Sequence, residues 1–244
     1  MTLRKTITHV LFDMDGLILD TEKFYTVVQQ NIAQRFGKEF TWDLKAKMMG
    51  KKALEAAQVL VAELGLEGQI TPEQFLTERE EALDKMFPTS QLLPGAEQLL
   101  RHLHDHGIPF CLATSSHRRH FELKTASHGQ LFELFTHVIT GDRVSNGKPA
   151  PDIFLLAAGQ FEPPAEPSDC LVFEDAPSGI AAAKAAGMSC VAVPDPNLDK
   201  PLSEDADQVL GSLLEFRPEE WGLPPFVREA YLAALDSGIP SGNT

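Results

Sequence analysis

His9-Val10-Leu11-Phe12-Asp13-Met14-Asp15-Gly16 decides the reading of this chain, because a short apolar run ends abruptly in two carboxylates one residue apart. Such a run predicts a buried strand of a parallel sheet, and open α/β sheets bind their ligands at the carboxyl ends of their strands. On an ideal strand Asp13 and Asp15 would point to the same side, where two like charges repel and shift each other's pKa. A hard divalent cation offsets that repulsion, and Mg²⁺, which prefers carboxylate and carbonyl oxygens, commonly arrives with phosphate. On this stretch alone a plain acidic turn before Gly16 stays open.

Working outward, residues 109–113, 170–173 and 190–193 form three more apolar runs of strand length, and 135–140 a weaker fifth. Helical patterns over 96–106, 119–128 and 180–186 lie between them, and that alternation predicts an α/β fold with a doubly wound parallel sheet. The interval after the first strand breaks the rhythm. It holds amphipathic helices over 24–35, 53–64 and 72–85, the last with Thr71 as its N-cap, and no convincing strand. The expected organisation is therefore a core of residues 1–20 plus 94–226, an all-helical insertion over 21–93, and a partly flexible extension over 227–244. Asp20-Thr21 and Leu93-Pro94-Gly95 would be the hinges of that insertion.

With 244 residues, 43% apolar and 23% charged, the chain has the composition of a folded globular protein. Its formal charge of -14 argues against general attraction to nucleic acid or anionic membranes, so an anionic substrate would have to meet a locally basic site. No apolar stretch is long enough for a signal peptide or membrane span, so a cytoplasmic location is expected, with a monomer as the default. Cys111, Cys170 and Cys190 are odd in number and lie in or beside strand-like runs, which suits buried free thiols.

Three further constellations add chemistry. Leu112-Ala113-Thr114-Ser115-Ser116 ends the second strand in hydroxylic residues whose side chains and amides suit phosphate oxygens, although a simple helix cap explains them as well. Gly147-Lys148-Pro149-Ala150-Pro151-Asp152 fixes a lysine between two backbone-restricting residues, where it could neutralise a phosphoryl group or a carboxylate nucleophile. Asp152 could cap the helix that follows. Val172-Phe173-Glu174-Asp175 repeats the opening device, a strand ending in two acids that the alternation aims differently.

Together Asp13-Met14-Asp15-Gly16, Thr114-Ser115, Lys148 and Glu174-Asp175 resemble the four ordered motifs of the haloacid dehalogenase superfamily phosphatases, with no motif residue substituted. The resemblance covers nearly the whole chain and implies a Rossmann-like core, with the helical insertion as a small cap that closes over the site and supplies leaving-group contacts. It further implies that Asp13 is the nucleophile of an aspartyl-phosphate intermediate and that Asp15 protonates the leaving alcohol and later deprotonates water. Mg²⁺ would be held by Asp13, the backbone carbonyl of Asp15 and Asp175, with Glu174 as a ligand or its neighbour. Thr114, the Ser115 amide and Lys148 would grip the phosphoryl group.

Phe12 to Leu17, Met49-Gly50-Lys51-Lys52-Ala53, Leu123-Lys124-Thr125, Leu171 to Pro177 and Phe216 to Pro224 look like the eukaryotic group containing pseudouridine-5'-phosphatase and plant-type glycerol-3-phosphatases. A small phosphorylated metabolite of either kind is thus the expected substrate. Glu22, Tyr25, Lys51 and Lys52 are candidate leaving-group contacts, each with a plainer reading as helix surface, whereas Met48 and Met49 suit the insertion's core. A phosphosugar mutase and an inactive phosphometabolite- or partner-binding relative are the alternatives.

Overall fold

The apolar runs become neighbouring strands of one sheet in the computed structural model, which describes residues 5–48, 53–197 and 205–226. β1 (His9–Phe12), β2 (Phe110–Ala113), β3 (Val138–Ile139), β4 (Cys170–Glu174), β5 (Ser189–Ala192) and β6 (Gln208–Val209) stand in the order β3-β2-β1-β4-β5-β6, with every pairing parallel. The chain runs outward from β1 through β2 to β3 and then returns to build β4, β5 and β6 on the other side. The order therefore reverses beside β1, at the position where doubly wound sheets open a ligand crevice. Phe12 is level with Leu112 on one neighbour and Phe173 on the other, so the carboxyl ends of β1, β2 and β4 come to one height.

Side-chain alternation divides the core. Val10 and Phe12 join Phe110, Leu112, Leu171 and Phe173 on one face, and Leu11 joins Ala113, Val172 and all three cysteines on the other. Phe12 and Phe173 stack with ring centroids 5.0 Å apart. Cys111, Cys170 and Cys190 are free and buried, and burial pushes each thiol's pKa up, to about 12 for Cys170.

Residues Thr21–Ser90 form a separate helical unit from α1 (Glu22–Arg35), α2 (Trp42–Met48), α3 (Ala53–Glu63) and α4 (Pro72–Met86). The α/β unit carries α5 (Ala96–Asp105), the start of α6 (Arg118–Thr125), α7 (Gly129–Phe132), α8 (Asp152–Gly159) and α9 (Pro177–Ala185). Its edge lies at Gln91 rather than at residue 94, because the Asp20 amide donates to the Gln91 carbonyl at 2.9 Å and the Leu93 amide to the Ile18 carbonyl at 2.8 Å.

Glu122–Ser127, expected in the core, belongs to the helical unit. There Lys124 is fully buried, with Nζ 3.1 Å from the Tyr25 hydroxyl and 4.5 Å from the centroid of the Phe87 ring. In the same unit Phe24, Val28, Met48, Leu60, Phe75 and Leu83 belong to a separate hydrophobic core. Met49 and the extension over 227–244 lie outside the described residues.

Thr71 caps α4 as expected, and more fully. Its hydroxyl accepts from the Gln74 amide at 3.1 Å while the Gln74 side chain accepts from the Thr71 amide at 2.9 Å. Replacing Thr71 with alanine should lower unfolding free energy by about 1 kcal/mol in urea titration, with activity retained; no change would mean the box adds nothing.

α8 begins where a helix was expected after Pro151, and three elements depart from the sequence reading. α2 has only 7 residues, too few to show a helical period. β6 is a two-residue edge strand, and β3 keeps only Val138–Ile139 of the longer run. Asp152 does not cap α8: it is the first helical residue, Pro151 precedes it, and its carboxylate accepts from Asn146 Nδ2 at 2.9 Å.

Candidate active site

β1 stops at Phe12, so strand alternation no longer governs the two acids beyond it. The Asp13 amide donates to the Phe173 carbonyl at 3.0 Å, which ties the residue to β4. Gly16 then takes φ +77°, a left-handed turn open to glycine, and the chain folds back with the Gly16 amide on the Leu19 carbonyl at 2.9 Å. The two carboxylates consequently take different partners instead of standing as one exposed like-charge pair. Asp13 Oδ1 accepts from Lys148 Nζ at 2.6 Å, and Asp15 Oδ2 accepts from the Ser116 hydroxyl at 2.7 Å.

Lys148 is the hub. Its Nζ also donates to Glu174 Oε1 at 2.6 Å and to the Ala113 carbonyl at 3.0 Å, and it lies 4.9 Å from the centroid of the Phe154 ring. One buried ammonium thus serves two buried carboxylates and the end of β2. Burial alone would lower the pKa of Lys148, but the charges of Asp13 and Glu174 override it and hold it above the usual lysine value. Asp13 moves the other way from an ordinary ion-paired acid. Burial raises its pKa, the Lys148 charge opposes the rise, and Glu174 and then Asp15 add to it. Burial thus dominates at Asp13, and the two neighbouring anions dominate at Lys148.

Glu174 is held on every side. Oε2 accepts from the amides of Asp175 and Ala176 at 3.1 and 3.2 Å, at the entrance to α9, while Oε1 holds Lys148. Carboxylate oxygens of Asp13, Glu174 and Asp175 lie within 4.8 Å of one another, an all-oxygen set that fits a hard divalent cation. The side-chain carboxylate of Asp15 is not part of that set.

Glycine at position 179 is required by this arrangement, since a Cβ there would lie 1.8 Å from Glu174 Oε1. Gly179→Ala should displace the Glu174 carboxylate and with it Lys148, lowering kcat/KM for a phosphomonoester by about 10²-fold in a phosphate-release assay. Wild-type efficiency in that variant would contradict the packing.

At the end of β2, Thr114 is fully buried and its Oγ1 accepts from the Ser116 amide at 3.1 Å, while Ser115 is exposed. The loop is pressed against Gly141, where a Cβ would lie 2.3 Å from the Ser115 carbonyl oxygen. Asp13, Asp15, Thr114, Ser115, Lys148, Glu174 and Asp175 thus sit at the ends or in the adjoining loops of the α/β unit, around the switch in strand order.

The helical-unit candidates are placed differently. Glu22 opens α1 and pairs with Lys45 at 3.3 Å, and Tyr25 accepts from Lys124. Lys51 and Lys52 lie outside the described residues. The sequence reading missed the bond between Ser116 and Asp15, the Phe154 ring beside Lys148 and the fit of Gly179 to Glu174. Only the small residue in Pro177-Ser178-Gly179, directly after an acid-ended strand, was a signal for the last of these.

A doubly wound parallel sheet, a helical insertion after its first strand and a carboxylate-lysine centre at the switch point define a haloacid dehalogenase-like hydrolase. The chain belongs to that family, whose model matches residues 7–187. It is 59% identical over 226 residues to (DL)-glycerol-3-phosphatase 1, mitochondrial, of Arabidopsis thaliana, covering 91% of this chain and 76% of that protein. A Drosophila melanogaster protein named "Probable pseudouridine-5'-phosphatase" is 49% identical over 227 residues, covering 92% of this chain and 97% of the relative. Among solved structures, a Deinococcus radiodurans HAD family hydrolase with bound phosphate and sodium superposes with a TM-score of 0.74 at 29% identity, covering 90% of this chain and 98% of that one. No described helix is long and apolar enough to cross a membrane.

Proposed function

We propose that the protein is a Mg²⁺-dependent phosphatase of a small phosphomonoester, with glycerol 3-phosphate as the leading substrate and pseudouridine 5'-phosphate as the next. The observation that carries the reading is the buried Asp13, held by Lys148 at the carboxyl end of β1. Asp13 attacks phosphorus as its bond to the leaving oxygen breaks, and Asp15 gives that oxygen its proton. Water then attacks the aspartyl-phosphate, Asp15 takes the water's proton, and phosphate leaves with the Asp13 carboxylate restored. The Thr114 hydroxyl, the Ser115 amide and the Lys148 ammonium bind the phosphoryl oxygens.

Asp13, Asp175 and the Asp15 carbonyl would hold the cation, while Glu174, occupied by Lys148 and two amides, orients the set. Bound there, Mg²⁺ supplies neutralisation of charge on the transferring group. The preference for glycerol 3-phosphate is supported by the higher identity to the Arabidopsis glycerol-3-phosphatase. Glu22, Lys51 and Lys52 enter this reading as leaving-group contacts, and a monomer in the cytoplasm completes it.

The test is phosphate release from a panel holding glycerol 3-phosphate, pseudouridine 5'-phosphate, flavin mononucleotide, phosphoglycolate and sugar phosphates. Saturable release that a chelator abolishes and Mg²⁺ restores is expected, with glycerol 3-phosphate ranked first by kcat/KM. Isomerised sugar phosphate without free phosphate would instead mark a mutase, and no reaction with any member would mark a binding protein.

A further inference from the structure

We propose that Ser116 is the positioning residue of the proton-transfer carboxylate, fixing Asp15 through its Oδ2 so that Oδ1 carries the proton to and from the reacting oxygen. This inference rests on the reading of Asp15 as general acid and base given above.

The geometry is that of a built support. Asp15 lies beyond the end of β1, where only an isolated bridge to Leu19 pairs its backbone. The Ser116 hydroxyl reaches Oδ2 at 2.7 Å across 101 positions of sequence. Ser116 is itself tied at both backbone groups: its amide donates to Thr114 Oγ1 at 3.1 Å, and its carbonyl accepts from the Gly141 amide at 2.9 Å. The loop before it is closely packed, since Gly141 lies against the Ser115 carbonyl near enough to exclude a Cβ. A serine has one side-chain rotor before its oxygen, so the hydroxyl is presented from a nearly fixed point.

The chemistry explains why a hydroxyl suits this place. Oδ2 accepts the Ser116 proton whether Asp15 is ionised or carries its own proton on Oδ1, so the same bond persists through both half-reactions. In the first, the P–O bond to the leaving group breaks as the Asp13–phosphorus bond forms, and the proton on Asp15 Oδ1 passes to the departing alkoxide. In the second, a water oxygen bonds to phosphorus as the Asp13–phosphorus bond breaks, and the water's proton returns to Oδ1. The same loop therefore serves two ends: Thr114 and Ser115 face the phosphoryl group in the proposed mechanism, and Ser116 holds the acid.

The test uses leaving groups of different basicity. An alkyl phosphate such as glycerol 3-phosphate needs a proton delivered to its oxygen, whereas 4-nitrophenyl phosphate expels a stable phenolate. Because kcat/KM reports the steps up to departure of the leaving group, Ser116→Ala should lower the ratio of kcat/KM for the alkyl ester to that for the aryl ester by roughly tenfold. Ser116→Thr, which keeps the hydroxyl, should restore the ratio to within about threefold of wild type. In an Asp15→Asn background, Ser116→Ala should change the ratio no further.

Equal loss on both substrates in Ser116→Ala, or a ratio that threonine fails to restore, would overturn the inference and leave Ser116 as a loop-shaping residue. If Asp15→Asn itself lowers both substrates equally, the general-acid reading fails, and that result is independent of anything done to Ser116.

Discussion

Asp13→Asn is expected to lower turnover by on the order of 10⁴-fold or more, while the metal-free protein at pH 8 melts no lower than the wild type. The first half follows from chemistry: an amide oxygen cannot form and release the acyl phosphate that the proposed mechanism requires. The second half follows from electrostatics. Asp13 and Glu174 share Lys148, so asparagine at position 13 leaves one buried lysine facing one buried carboxylate. Asp13 has a folded pKa raised above its ordinary value near 3.8, so the native state binds its proton more tightly than the unfolded chain does. Its stabilising contribution is full below that ordinary value and is lost as pH rises through the raised one. The asparagine variant has nothing to lose over this window, so its melting temperature relative to wild type should climb with pH. A variant much less stable at pH 8 would show that the carboxylate is a net structural asset and the charge imbalance is misread.

Lys148→Met should fail in both respects. Methionine fills much of the same space against Phe154 but leaves Asp13 and Glu174 buried without their shared cation. Removing one partner of a buried ion pair costs about 3–5 kcal/mol, and losing a charge aimed at the transferring phosphoryl group costs on the order of 10³-fold in turnover. The stability deficit should shrink at acid pH, where the orphaned carboxylates protonate. Urea unfolding at pH 5 and pH 8 measures this directly, and a variant within about 1 kcal/mol of wild type at pH 8 would contradict the hub role of Lys148.

The contrast between these two variants bears on how legible the protein was before its structure. β1, β2, β4 and β5 could be read because strands buried on both faces are continuous apolar runs, and each site acid stood out as charge at the end of such a run. β6 could not, since two edge residues carry no pattern, and α8 was signalled only by the prolines before it, because its exposed Leu155 is as apolar as its buried face. Spacing along the chain was silent on which acid each donor serves. That Lys148 bridges Asp13 to Glu174, that Ser116 reaches Asp15, and that Lys124 is buried beside Tyr25 and Phe87 all depend on contacts between residues far apart in sequence. The like charges at positions 13 and 15 were legible, and Asp15 does raise the Asp13 pKa; that the two carboxylates take separate partners was not, because β1 ends before both acids.

The central claim, that Asp13 becomes phosphorylated during turnover, is tested most directly by quenching the enzyme with acid while it turns over glycerol 3-phosphate and reducing it with borohydride. The peptide carrying position 13 is then sequenced by mass spectrometry. An acyl phosphate at Asp13 predicts homoserine at that position, dependent on substrate and absent when it is omitted. Homoserine at another acid, or full turnover with Asp13 always recovered as aspartate, would contradict the account.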